Sequence, residues 1–209
     1  SPAGKNRNKG LNENLAREIL ELHTLGVAGG YTQDDVTNLA RIIAGWSVGG
    51  LNQKGEDAGT FVYRPQRREP GTWTVVGKSY ANAGVETGAQ ALRDLARHPS
   101  TARNIARKMA THFVGENPPP ALVGQLEHSF RLTGGDLGHL AATLLNSGEA
   151  WAAPRQKMLP PNDFLVAAAR GMPFRQRPKS QEIVRLSNQL GQPLWNVPSP
   201  KGWPEANDT

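Results

Sequence analysis

The sequence predicts a mainly α-helical fold, a multi-helix single domain with a small β-hairpin insertion. Three features of the chain carry this prediction. Apolar residues recur at spacings of three and four through most of its length, the period of a helix with one buried face. Helix starters and stoppers punctuate those stretches. β-Branched and aromatic residues gather at short length in one region only, FVYRP and then TWTVV, split by QRREPG.

Residues 1–10, SPAGKNRNKG, are polar and basic without periodicity and read as a flexible tail. Residues 11–209 read as one helical domain, since no boundary interrupts them and no fixed-period repeat is visible. The first helix spans about 12 to 25, with Gly26 as a natural stop beyond its end. The second, from YTQDDVTNLARIIAGW, is the best defined. Thr32 is a good N-cap, and Asp34 and Asp35 sit in the first turn, where the helix dipole favours acids. Tyr31 and Val36 are spaced as a hydrophobic staple. Val36, Leu39, Ala40 and Ile43 make one stripe, and Gly45 ends it.

A Gly-rich stretch over residues 47–60 reads as a loop, and the two short β runs after it read as a small hairpin or two edge strands. Helices then fill the remainder, for about seven in all. VETGAQALRDLARH runs to about 97, and PSTARNIARKMATHFV follows with Pro99 near its first turn and Ile105, Met109 and Phe113 spaced along one face. The next segment starts on prolines and stops on Gly134–Gly135, with Leu122, Leu126 and Phe130 on one side. DLGHLAATLLNSGEAW starts on an Asp136 N-cap and reads as one helix. NDFLVAAARGM and KSQEIVRLSNQLG give two more, and the Pro- and Trp-rich end is irregular.

Composition narrows the function. The chain has no cysteine, so disulfides, thiolate nucleophiles and Cys-ligated metals are absent. No apolar run approaches the ~20 residues of a membrane span. The net charge of +6 favours contact with an anionic ligand. That charge is spread rather than blocked, so nucleic acid is not the expected partner. There is no Walker loop, no G-x-G-x-x-G after a strand, no G-x-S-x-G, no HExxH and no EF-hand loop, and no cofactor is expected.

Candidate binding residues come from three places. LNENLAREILELHTLG crowds Asn14, Arg17, Glu18, Glu21 and His23 into one helix. At roughly 100° per residue, Leu15, Ala16, Ile19, Leu20 and Leu22 share an apolar arc, with the acids and Arg17 opposite. Glu13–Arg17 and Arg17–Glu21 are i,i+4 pairs, the pattern of a solvated or interdomain face. His23 falls within the apolar arc, where it is either a core histidine bonded to a carbonyl or a ligand in a pocket. Glu18-x-x-Glu21 has a metal-ligand spacing, but His23 points elsewhere, and no metal site is assigned. The second group is basic: Arg64 and Arg68 beside the hairpin, and Arg103 and Arg107 on one helix face, as anion contacts or merely solvated cations. The third is Trp203, with Trp195, in the irregular end; each indole either stacks on a ligand or clamps the tail.

These motifs together resemble a known family. NENLAREILELHTLGV followed by GGYTQDDV and LARIIAGW is similar to the signature of the bacterial domain-of-unknown-function family 1800. The resemblance continues in order through HPSTARNIARKMATHFV, PPPALV, FRLTGGDL, KMLPPNDF and LGQPLW to PSPKGWP. It implies that this chain corresponds to the C-terminal half of a longer protein. It implies no established activity. It does imply export to the periplasm or beyond, and a secreted sulfatase-like protein encoded alongside as a partner. Where the family often has a His-acidic-x-Gly stretch, this chain has Arg68–Glu69–Pro70–Gly71, so a histidine there is not available as a ligand or base. The expectation is therefore a binding or assembly protein. The alternative is a hydrolase-like or metal-dependent enzyme whose site needs an N-terminal half.

Overall fold

Nine α-helices and four short strands make up the regular structure of the described residues, which in this computed structural model are 11–50, 58–152, 159–171, 179–200 and 202–203. The helices are α1 (Asn14–Glu18), α2 (Gln33–Ile43), α3 (Val85–Ala96), α4 (Pro99–Phe113), α5 (Pro120–Leu132), α6 (Leu137–Leu145), α7 (Gly148–Ala152), α8 (Pro161–Gly171) and α9 (Ser180–Gln189). The strands are β1 (Trp46–Val48), β2 (Phe61–Tyr63), β3 (Trp73–Val75) and β4 (Lys78–Tyr80). The protein is mainly helical with small hairpin elements, as its periodicity predicts. The tail assigned to residues 1–10 lies outside the described residues.

Pairing in the β region differs from the expected hairpin. FVY and TWTV do not pair with each other. FVY pairs antiparallel with Trp46–Val48, and WTV pairs with Lys78–Tyr80. The second hairpin turns on Val76 (φ 48°) and Gly77 (φ 74°), and positive φ at both central residues is the turn that matches strand twist. Val is a poor residue for that region, and its burial beside Val75 hid the turn from a propensity reading. Gly-rich sequence likewise hid β1.

Buried side chains fall into two clusters. The first joins α1, α2, α3 and the β3–β4 hairpin through Ala16, Leu20, Val36, Leu39, Ile43, Val75, Tyr80, Ala91 and Leu95. The second joins α4, α5 and α6 through Ala102, Ala106, Ala110, Leu122, Leu126, Phe130, Leu140 and Leu144. Each fully buried Leu contributes about 1.5–3 kcal/mol by leaving water. α2 begins as predicted: Thr32 accepts from the Asp35 amide, and Asp35 returns the bond to the Thr32 amide.

The predicted helix over DLGHLAATLLNSGEAW is two helices. Asn146 Nδ2 donates to the Ala142 carbonyl, and the Ser147 hydroxyl donates to Glu149. Short polar side chains compete with the backbone ladder in this way and break it. α8 and α9 pack on each other. Among the described residues none of their large apolar side chains is buried; of these two helices only Ser187 is. Among the described residues no helix is long and apolar enough to cross a membrane.

Candidate functional site

The opening segment is a junction between helices. α1 passes at Ile19 into a single π turn that ends at His23. The wider turn advances each residue by less than the α-helical angle. It carries His23 out of the apolar arc, and His23 is exposed rather than buried on a carbonyl. Glu18 and Glu21 are half-buried, not splayed into solvent. The carbonyls at the helix end are satisfied one by one. The Thr24 hydroxyl donates to Ile19 O at 2.7 Å, and the Gly26 amide to Leu20 O at 3.1 Å. From α4, Lys108 Nζ donates to Leu22 O at 2.6 Å and Asn104 Nδ2 to Thr24 O at 2.7 Å.

The polar face of α1 is also not merely solvated. Arg17 donates to Gln33 Oε1 at 2.7 Å, and Gln33 donates to Glu13 Oε2 at 2.7 Å. Thr37 donates to the other Glu13 oxygen at 2.7 Å. Thr37, then Gln33 and Arg17, hold the Glu13 carboxyl below its usual pKa. Glu21 accepts from the Tyr31 hydroxyl at 3.5 Å. Burial, then the Glu21 charge, raises the Tyr31 pKa. Sequence periodicity places these polar residues on one face; it does not reveal that α2 covers that face with its own Gln33 and Thr37. Asn14 lies exposed at the start, its amide bonded to Asn12 Oδ1.

A set of convergent polar groups lies in a notch between the end of α2, the hairpins and the start of α3. The notch is shallow and open to solvent. Tyr63, Arg68, Glu69, Trp73, Asn82 and Gly84 are on its wall. Arg68 Nη1 donates to Asn82 Oδ1 at 2.5 Å. Arg41 lies 4.5 Å above the Trp73 ring, a cation–π contact, and pairs with Glu69 at 3.4 Å. Arg41 also donates to Asn38, whose amide donates to the Thr74 carbonyl. Gly84 needs its φ of +70°, and a Cβ there would lie 3.7 Å from the Tyr63 hydroxyl. Arg64 is half-buried beside this wall. Sequence reading found Arg64 and Arg68 but missed Tyr63, Trp73, Glu69 and Asn82. The only signal for them is the pair of glycines, Gly71 and Gly84, flanking the second hairpin.

The remaining candidates do not join that notch. Arg103 is exposed and reaches Glu127 on α5 at 3.4 Å. Arg107 is exposed one turn further along α4. Trp203 is half-buried, whereas Trp195 is 99% exposed. Among the described residues no three His, Asp or Glu side chains gather as a metal site requires.

The class defined by this architecture is a mainly helical protein whose signature segment is a structural junction beside a polar notch. A family model described as "Protein of unknown function (DUF1800)" matches residues 3–209, and the chain belongs to that family. No curated protein and no solved structure matches the chain.

Proposed function

We propose that this chain is a binding or assembly protein that works outside the cytoplasm, with a secreted sulfatase-like protein as its partner. The observation that supports this reading is the apolar surface of the C-terminal helices. On α9, Ile183, Val184, Leu186 and Leu190 are 38%, 41%, 36% and 43% exposed. Phe164 and Val166 on α8 and Leu194 beyond α9 are similarly open, and Trp195 is 99% exposed at φ 62°. Soluble monomers rarely leave large contiguous apolar surface uncovered, and where they do it marks an interaction site. Tryptophan is among the residues that most often anchor such interfaces.

The placement of the polar residues in the opening segment supports the same reading. Glu13, Arg17 and Glu21 are engaged with α2 and Tyr31, and His23 stands apart in solvent. A catalytic constellation needs its acid, base or ligands aimed at one reacting atom. The extracytoplasmic setting and the identity of the partner rest on the family resemblance. The test is co-expression of the full-length protein with the sulfatase-like protein encoded beside it. A stable complex through affinity capture and size exclusion is expected. Separate elution of the two at micromolar concentration would remove the partner from the account.

A further inference from the structure

We infer that the notch between α2, the hairpins and α3 is an oxyanion-binding site, holding one phosphate- or sulfate-sized group. Four kinds of donor meet there. The Trp73 indole nitrogen is buried and has no partner among the described residues. An indole N–H can only donate, and a buried donor left unpaired is costly. Arg68 uses one guanidinium nitrogen on Asn82, and its other N–H groups have no partner among the described residues. The Tyr63 hydroxyl is a third donor on the wall. Fourth, α3 opens at this wall with no side chain capping its first turn. Its positive dipole end and free amides favour an anion.

Two carboxylates stand near the notch, and each is paired; Glu86, in the first turn of α3, pairs with Arg93. Glu69 is paired with Arg41, which is itself held over Trp73 and by Asn38. With Arg41 beside it, two arginines stand against the one carboxylate of the wall. The notch is shallow and open, its space running out into solvent, so it can seat a small group at its mouth rather than enclose a larger molecule. It suits a single oxyanion, either free or as the terminal group of a larger molecule. Because the Trp73 nitrogen is covered, binding requires a local movement near Gly71, where φ is +149° and a Cβ would lie 2.9 Å from the indole. The Trp73 environment therefore changes on binding.

The test is titration of the protein with inorganic phosphate and, separately, glucose 6-phosphate, against sodium chloride at matched ionic strength. Calorimetry reads affinity, and the tryptophan emission of wild type against Trp73→Phe reads the indole. Saturable binding is expected, with Arg68→Ala weakening it about tenfold or more, the worth of one charge-assisted contact. Arg68→Lys and Tyr63→Phe are the milder variants if Arg68→Ala does not fold, and each is expected to weaken binding. Arg103→Ala, far along α4, is expected to leave it unchanged. Tighter binding of the sugar phosphate assigns a ligand-borne group; equal binding assigns the free ion. No saturation in wild type, or equal affinity in all Arg68 and Tyr63 variants, overturns the site. So does a loss caused by Arg103→Ala alone. None of these outcomes depends on the C-terminal apolar surface.

Discussion

Asn104 on α4 donates its side-chain amide to the Thr24 carbonyl at 2.7 Å, and the bond fastens the second buried cluster to the end of the signature segment. Gly26, at φ +85°, lies directly against Asn104: a Cβ there would sit 2.9 Å from Asn104 Cγ. Asn104→Ala is expected to cost about 1–3 kcal/mol by orphaning the Thr24 carbonyl. Gly26→Ala is expected to cost about 1–2 kcal/mol from its left-handed backbone, plus the clash. Urea unfolding of both variants and the double variant checks the coupling. The two costs should sum to more than the double variant shows, since Asn104→Ala makes room for the new methyl.

Gly88 gives a prediction whose sign separates local propensity from packing. Replacing a helical Gly with Ala ordinarily stabilises by roughly 1 kcal/mol. Here the added Cβ would lie 2.5 Å from Trp46 Cζ2, which cannot retreat freely because Phe61 packs edge-on against it at 5.5 Å. Gly88→Ala should therefore destabilise by about 1–3 kcal/mol through overpacking. Thermal unfolding decides, and a raised Tm would show that Trp46 moves aside without strain.

Asp35 links stability to pH. Burial tends to raise its pKa, but the amides of Thr32 and Val76 and the Thr32 hydroxyl, all donating to its carboxylate, lower it overall. A depressed folded pKa contributes stability that is fully present above the unfolded value near 4 and is lost as pH falls through the folded value. The urea midpoint of wild type should therefore fall on acidification below about pH 4. Asp35→Asn keeps only one acceptor oxygen for donors that use two. It should start less stable at pH 7 and show a flatter acid limb.

The signature segment should respond unevenly to alanine. Glu13→Ala removes the acceptor shared by Gln33 and Thr37 and should lower Tm clearly. His23→Ala, at an exposed position, should stay within about 0.5 kcal/mol of wild type. Equal losses at both would mean that His23 has a partner in the folded protein.

Much of the helical frame was legible because it is written locally. Thr32, Asp35 and Asp136 cap the helices their positions imply, and Leu122, Leu126 and Phe130 face inward at the predicted spacing. What escaped is set by contacts distant in sequence. The π turn depends on Thr24 taking the Ile19 carbonyl, and the docking of Glu13 and Arg17 depends on Gln33 and Thr37. In the notch, Arg68 stood out as a cation among arginines. Its neighbours Tyr63, Trp73 and Asn82 come from three separate stretches, and no periodicity joins them.

If the chain works as proposed, surfaces on its C-terminal helices bind the partner while its signature segment serves only as a junction between helices. The measurement that bears on this is the affinity of the protein for the sulfatase-like partner proposed for it, across two sets of folded variants. Trp195→Ser and Ile183→Asp alter the C-terminal surface, and His23→Ala and Glu18→Gln alter the opening segment. The account predicts that the first pair weakens binding at least about tenfold, the scale of an interface anchor, while the second pair leaves it unchanged. Full affinity in the first pair with loss in the second would contradict it.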